Sequence, residues 1–170
     1  MSRVITFSRV FPAHHPKAGQ PTFFVEKIWA SRGFPEHFRT LESLKNEAFN
    51  YFSKFKDVPK HHTIRQGRRW QVGQKFSPRV WSGKPYQSKQ IIIGPDIEIV
   101  KTWDIDMIRN ENGTINVTIA KSLDPRLNVV SANDGLSPED FNDWFNTNPK
   151  FRKEKKFVGQ IICWNHNVNY

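Results

Sequence analysis

The sequence predicts an α+β domain built on a small β-barrel, and two patterns in the chain favour this fold class. From residue 61 onward, short segments rich in β-branched and aromatic residues are separated by Gly, Pro and Asn, as expected for barrel strands. Before residue 56, apolar residues recur three or four positions apart, as in amphipathic helices, and after residue 133 a pattern of cap residues predicts a further helix. With 170 residues, the chain is long enough for one domain, residues 1–170, with a buried core.

The first third of the chain predicts one strand and two helices. Residues 3–8 (RVITFS) are typical of a strand, and segment 11–21 contains three prolines and a glycine, which predicts a loop. A short amphipathic helix is predicted at 22–32. A longer helix is predicted at Pro35–Phe55, and we interpret its one apolar stripe as core packing. We regard the segment at about residues 34–57, which contains this helix, as a helical addition to the domain.

The next part of the chain predicts strands. Five segments alternate polar and apolar residues or run apolar over a few positions: 61–66, 75–81, 88–95, 97–105 and 114–120. Glu111–Gly113 (ENG) is typical of a hairpin turn, because Asn and Gly tolerate the positive φ that such turns require. A last apolar strand is predicted at 157–164.

A helix is also predicted within residues 134–145. Ser137 is a suitable N-cap, Pro138 fits the first helical position, and Asp140 lies where a capping box has its acid. We interpret residues 151–157 (FRKEKKF) as a solvated turn, with an extension of an RNA-binding surface as the alternative.

Charge is concentrated in one segment. The chain has a net charge of +10, yet no Asp or Glu occurs from Val58 to Pro95. Aromatic residues alternate with the cations of this segment, and such a mixture favours nucleic acid, since cations bind phosphates while aromatic faces stack on unpaired bases. A solvated basic face with its aromatic rings in the core is the alternative. The residues predicted to bind RNA or single-stranded nucleic acid are Arg65, Arg68, Arg69, Trp70, Arg79, Trp81, Lys84 and Tyr86.

Several other classes of protein are disfavoured. The single cysteine, Cys163, excludes an internal disulfide and a cysteine-based zinc site. The adjacent histidines 14–15 and 61–62 would point to opposite faces of a strand, so we predict no metal, and the absence of dinucleotide-binding and P-loop patterns predicts no cofactor. No apolar run approaches the ~18 residues of a transmembrane helix. We expect a cytoplasmic protein without a signal peptide. It should be a monomer, unless the apolar stripe of the helix at 35–55 is exposed and pairs with that of a second copy.

The segment PKHHTIR, residues 59–65, has an unusual density of polar groups for a strand. Side chains alternate along a strand, so Thr63 and Arg65 share one face and Ile64 points to the other, toward the core. Lys60 would lie at the start of this strand. A lysine whose pKa is lowered by burial is able to act as a general base, and a neighbouring threonine hydroxyl is a possible nucleophile.

Four segments in their order resemble the ASCH family of PUA-like domains: VITFSRVF, KHHTIR, VGQKF and NDGLSPEDFNDWF. The resemblance implies a PUA-like mixed β-pseudobarrel with flanking helices. It also implies a cleft that binds RNA or a modified nucleoside.

Within this family, the small bacterial acetylcytidine amidohydrolases share the ITF opening and the Lys-x-x-Thr-x-Arg order. By this resemblance, Lys60 and Thr63 match the lysine and threonine of those enzymes, and Asp134 lies where they have a glutamate. The lysine would activate the threonine or a water, the carboxylate would polarise or protonate the substrate amide, and Arg65 would be a positioning cation. The expected function is RNA or nucleoside binding, with deacylation of a modified cytidine as the alternative.

Overall fold

Two β-sheets and four helices make up the described part of the chain in a computed structural model, which describes residues 3–32, 54–55, 57–123 and 127–170. The predicted α+β class is confirmed. In chain order the elements are β1 (Arg3–Phe7), α1 (Phe24–Arg32), β2 (His62–Gln66), β3 (Lys75–Trp81), β4 (Gln90–Ile92), β5 (Ile97–Glu98), β6 (Lys101–Arg109), β7 (Ile115–Ile119), β8 (Ser122–Leu123), α2 (Leu127–Asn133), α3 (Pro138–Asn146), α4 (Pro149–Glu154) and β9 (Lys156–Cys163).

The first sheet is organised around β3. This strand pairs in parallel with β1, so that Ile5 lies opposite Pro78, and antiparallel with both β4 and β5. Parallel neighbours need a long crossover connection, which here runs through α1 and β2. The sequence patterns predict β1, β3 and β4 but not the parallel pairing of β1. The single strand predicted at 97–105 is wrong, because the segment divides into β5 of this sheet and β6 of the second.

The second sheet has the order β2-β9-β6-β7-β8 and is antiparallel. Strand β9 pairs on one side with β2, where Ile64 lies opposite Ile161, and on its other side with the central strand, β6. The predicted hairpin turn joins β6 to β7: Gly113 has φ +80°, and the Asn112 Oδ1 atom accepts a hydrogen bond from the Thr114 amide at 3.0 Å. The described strands thus form two sheets, not one closed barrel.

The helix predicted near residue 137 is confirmed. The Ser137 Oγ atom accepts a hydrogen bond from the Asp140 amide at 3.0 Å, and Pro138 is the first residue of α3. Residues 152–156 are exposed, as the interpretation of 151–157 as a solvated turn requires, but the turn itself is wrong, since the segment begins within α4 and ends in β9. Asn148 caps that helix, and Phe151 anchors it because its ring is buried in the core.

Helix α2 is an addition to the predicted elements. Its sequence, LNVVSAN, contains β-branched and polar residues of modest helix propensity. Tertiary packing stabilises it instead, since Val130 is fully buried. The long helix predicted at Pro35–Phe55 falls, apart from its last two residues, outside the described ranges.

The core lies between the two sheets and the helices. Its fully buried side chains come from both sheets and from α3, among them Phe76, Ile105, Phe141 and Ile161. Ile64 is buried in this core, as strand alternation predicts. Within the described ranges, no helix is long and apolar enough to cross a membrane.

Candidate functional site

The backbone before β2 is held between two helices. The Lys60 amide donates to the Lys27 carbonyl of α1 at 3.0 Å, and the His61 amide donates to the Asn133 carbonyl of α2 at 2.7 Å. These two bonds come from two different helices. They fix Lys60 at the point where α1, α2 and the second sheet meet.

The partner of Lys60 lies in the turn that ends α2. The Gly135 amide donates to the Ala132 carbonyl and the Leu136 amide to the Ser131 carbonyl, which is the pattern of a Schellman motif. Gly135 has φ +77°, and a Cβ atom at this position would lie 3.1 Å from the Lys60 Cβ. Glycine therefore provides both the left-handed conformation and the space for Lys60 beside Asp134.

Lys60 and Asp134 form a buried ion pair. The Lys60 Nζ atom lies 2.6 Å from Asp134 Oδ1 and also donates to the Asp134 carbonyl oxygen at 2.5 Å. Its side chain is only 1% exposed, and Nζ lies 4.2 Å from the centroid of the Phe24 ring. Buried charges of this kind are costly unless paired, and they are common at functional sites.

The burial of this pair changes both pKa values. Desolvation, together with the nearby cations Arg65 and Lys27, lowers the pKa of Lys60 to about 8 against the opposing attraction of Asp134. Burial alone would raise the pKa of Asp134, but Lys60 and His62 together hold it below its ordinary value. At neutral pH the acid is therefore ionised, and the lysine is close to its titration range.

Thr63 and Arg65 are linked to each other and to the first sheet. The Thr63 hydroxyl accepts a hydrogen bond from Arg65 Nη1 at 2.8 Å, and Arg65 Nη2 donates to the Thr6 carbonyl of β1 at 2.7 Å. Arg65 also lies over the Phe7 ring, 5.5 Å from its centroid. Because its donors are occupied by β1 and β2, Arg65 holds the two sheets together beneath the site.

These side chains line one cleft of about 410 Å³ between the two sheets, which we call the central cleft. Lys60, Thr63 and Asp134 form its floor, and Trp81 and Tyr86 form its rim, with ring centroids 5.3 Å apart. A volume of this size is typical of small-molecule sites. The full lining is Thr6, Phe7, Ser8, Phe24, Lys60, Thr63, Ile64, Arg65, Trp81, Pro85, Tyr86, Asp134, Trp144 and Phe145.

The structure divides the residues predicted to bind nucleic acid into two groups. Arg65, Trp81 and Tyr86 line the central cleft, and Tyr86 is 88% exposed with φ +63°. The others are outside its lining: Arg68, Arg69, Trp70, Arg79 and Lys84.

The residues outside the cleft have contacts of their own. Arg68 pairs with Asp104 at 3.2 Å and lies 3.7 Å from Asp106, so acids of β6 offset part of the predicted basic face. Arg79 donates to Ser77 and Gln90 within the first sheet. Arg69 and Lys84 are exposed, whereas Trp70 packs edge-on against the core residue Phe76.

Three side chains of the site are additions to the sequence prediction. Trp144 and Phe145 line the cleft from α3, a helix that the sequence predicted from its cap residues without assigning these two side chains to the site. His62 is fully buried, with Nδ1 3.5 Å from Asp134 Oδ1 and Nε2 2.7 Å from the Tyr170 hydroxyl. No local signal marks His62 for this place, because its two partners are distant in sequence.

A metal does not explain the acids and histidines of the described residues. Within those ranges, no three His, Cys, Asp or Glu side chains gather closely enough to hold an ion.

Comparisons of the chain with models of protein families, with curated proteins and with solved structures return no match. The geometry of the central cleft therefore carries the functional argument.

Proposed function

We propose that the protein is an RNA- or nucleoside-binding domain of the ASCH type, with a PUA-like arrangement of its two sheets. The observation that carries the proposal is the buried Lys60–Asp134 pair at the floor of a cleft with an aromatic rim. Such a cleft suits a flat ligand with polar edges. An unpaired base is a ligand of this kind. The net charge of +10 favours ligands in which the base is joined to phosphate, as it is in RNA.

The two parts of the central cleft would contact different parts of a base. The rings of Trp81 and Tyr86 offer faces for stacking, which is worth about 1–3 kcal/mol per base. The floor has a cationic donor in Lys60, an acceptor in Asp134 and a hydroxyl in Thr63. These groups would read the hydrogen-bonding edge of the base while the rim holds its face.

Calorimetric titration with the four ribonucleosides and with acetylcytidine tests this proposal. We expect at least one of them to bind, and Tyr86→Ala to weaken binding at least about fivefold through lost stacking. Lys89→Ala, an exposed change in the same loop but outside the cleft lining, is the matched control. If every nucleoside fails to bind at low salt, the cleft has another function.

The wider basic face predicted from the sequence is tested separately. Replacing Arg68 and Arg69 with Ala should weaken binding of single-stranded RNA and lower its dependence on salt, because each phosphate contact releases counterions. Both side chains are exposed, so the free energy of unfolding should change little. Unchanged RNA affinity would restrict binding to the central cleft.

A second candidate function is the hydrolysis of an acylated cytidine, and the state of Lys60 favours it. With a pKa of about 8, about a tenth of the Lys60 amines are neutral at pH 7 and able to accept a proton. Thr63 lies in the same cleft, and its Oγ atom is already oriented by Arg65.

In this reaction water adds to the acyl carbon and the amide C–N bond breaks. Neutral Lys60 would take a proton from the attacking water, held by Thr63, and return it to the departing nitrogen of cytidine. Ionised Asp134 would stabilise the lysine in its protonated form between these steps. The products are cytidine and a carboxylic acid.

Release of cytidine from acetylcytidine tests this second function. We expect turnover that rises with pH to a midpoint near the Lys60 pKa of about 8, and that is lost in Thr63→Val and Lys60→Met. Lys17→Met, which changes an exposed lysine of another ion pair, should leave turnover unchanged. Nucleoside binding without turnover at any pH would leave the binding function alone.

A further inference from the structure

The central cleft has an open depression on each side. One, of about 410 Å³, is lined by Arg9, Val10 and Pro21, and we call it the Arg9 depression. Four residues line both it and the central cleft and so form the wall between the two: Phe7, Ser8, Trp81 and Pro85.

The depression on the other side, of about 210 Å³, is lined by Asn148, Lys150 and Lys156, and we call it the Lys150 depression. Trp144 and Phe145 line both it and the central cleft. The three spaces therefore adjoin in a row, and each dividing wall contains an aromatic ring.

An aromatic ring that lines two adjoining spaces is able to contact a base in either of them. Trp81 lines both the Arg9 depression and the central cleft. Trp144 lines both the central cleft and the Lys150 depression, and it also packs against Phe11 and Phe24. Bases of a single strand stack on such rings, with little dependence on sequence. A lone nucleoside in the central cleft would use only the inner side of each wall.

Cations lie at both ends of the row. Arg9 lines the first depression, and Lys150 and Lys156 line the last. Glu154 pairs with Lys150 at 3.9 Å, but both side chains are half exposed, and such pairs are weak enough for a phosphate to compete. The alternation of cation, aromatic wall and cleft matches a phosphate backbone that carries unpaired bases.

We infer that the ligand of the central cleft is an internal nucleotide of a single strand, with its two neighbours in the Arg9 and Lys150 depressions. This inference rests on the proposed binding function and adds the class of ligand to it. The central base leaves the stack to reach the floor, whereas the flanking bases stay on the outer faces of Trp81 and Trp144. A paired base would be unable to enter, so duplexes are excluded.

Calorimetry with matched ligands tests the inference on the full chain. The probes are the four nucleoside 5′-monophosphates and the four homotrinucleotides, in ribose and deoxyribose forms, at one salt concentration. For the base that binds best, we expect the trinucleotide to bind at least about tenfold more tightly than the monophosphate, since two more bases stack. The two sugars distinguish RNA from DNA as the source of the strand.

Two double variants locate the added contacts. Replacing Lys150 and Lys156 with Ala should lower the ratio of trinucleotide to mononucleotide affinity at least about threefold, while the nucleotide in the Arg9 depression keeps the ratio above one. Replacing Arg152 and Lys153, exposed residues of α4 outside the depression, should leave that ratio unchanged.

The outcomes separate the two proposals. If monophosphates bind but trinucleotides gain nothing, or if both double variants act equally, the inference about the strand is wrong while the binding function stands. If neither kind of ligand binds, the binding function itself is wrong. A duplex that binds as tightly as the single strand would also contradict the inference.

Discussion

Two lysine–aspartate pairs in this molecule have almost the same contact distance but opposite electrostatic behaviour. Lys60 Nζ lies 2.6 Å from Asp134 Oδ1, and Lys17 Nζ lies 2.7 Å from Asp140 Oδ1. The Lys60 side chain is 1% exposed, whereas that of Lys17 is 45% exposed. Desolvation lowers the pKa of Lys60 to about 8, while the hydrogen bond to Asp140 raises the pKa of Lys17 above its ordinary value.

The comparison shows that exposure to solvent, and not the length of the contact, decides the direction of a lysine pKa shift. Water screens Lys17 from the cost of burial, so the attraction of its partner prevails. Lys60 has lost that water, and its attraction to Asp134 offsets only part of the free energy of desolvation. Lys17 joins the loop after β1 to α3, whereas Lys60 lies at the floor of a ligand-sized cleft.

Removing the acid of each pair should give the largest difference in stability between the two pairs. Asp134→Ala leaves the Lys60 ammonium buried without its partner and should lower the free energy of unfolding by about 3–5 kcal/mol. Asp140→Ala removes an acid about as buried as Asp134, but the lysine that it frees is half-exposed and solvated, so the loss should be smaller, about 1 kcal/mol. Urea denaturation at neutral pH measures both values, and equal losses would contradict the role given to burial.

Removal of both buried charges should restore much of the lost stability. In Lys60→Met with Asp134→Leu, apolar groups replace the ion pair, and we expect at least about 2 kcal/mol to return relative to Asp134→Ala. Nucleoside binding should be lost although the protein is folded. A double variant that is as unstable as Asp134→Ala would show that the cost lies in the turn, not in the unpaired charge.

The two lysines should also titrate in different ranges. The charge of Lys60 costs stability below about pH 8, and this cost is relieved as the pH rises from there toward the ordinary value of 10.5. Lys17 behaves in the opposite way, since its pair contributes stability that is fully present below 10.5 and is lost as the pH rises through its raised pKa. NMR titration of the lysine ε-methylene signals, assigned with Lys60→Met and Lys17→Arg, measures the two values. Coincident titrations would contradict the difference.

The contacts of Asp134 with Lys60 and His62 have a consequence at low pH. The depressed pKa of Asp134 means that its pair contributes stability above the ordinary value of 3.8, which is lost as the pH falls through the lower folded value. Acid unfolding curves of the parent and of the Lys60→Met, Asp134→Leu variant should therefore diverge toward low pH, with the parent losing stability more steeply.

Substitution of two glycines should have the smallest effect, and it tests whether the turn beside Lys60 must be free of a side chain. Gly135 and Gly113 both have positive φ, so Ala at either should cost about 1–2 kcal/mol. Only at Gly135 would the new Cβ atom crowd Lys60, at 3.1 Å, whereas at Gly113 its nearest contact is 3.5 Å. We expect nucleoside affinity to fall in Gly135→Ala alone. Equal affinities in calorimetry would show that Lys60 adjusts without consequence.

Much of the local structure follows from the sequence by itself. Ser137 and Pro138 determine where α3 begins, and Asn112 and Gly113 determine the β6–β7 turn, because caps and tight turns depend on the conformational preferences of adjacent residues. Period-two alternation also fixes which side of β2 enters the core, as the burial of Ile64 shows. The resemblance that marked Lys60, Thr63 and Asp134 rested on short motifs of this local kind.

Only the tertiary structure decided the electrostatics of the site. The burial of Lys60 depends on Phe24 and Asp134, which lie 36 and 74 positions away in the sequence, and on a helix, α2, that its own sequence favours weakly. Tertiary packing alone also brings Trp144 into the lining of the cleft and the acids of β6 next to Arg68. Desolvation is a property of everything packed around a group, so no local pattern specifies it, and two similar lysine–aspartate pairs acquire opposite pKa shifts only when the chain folds.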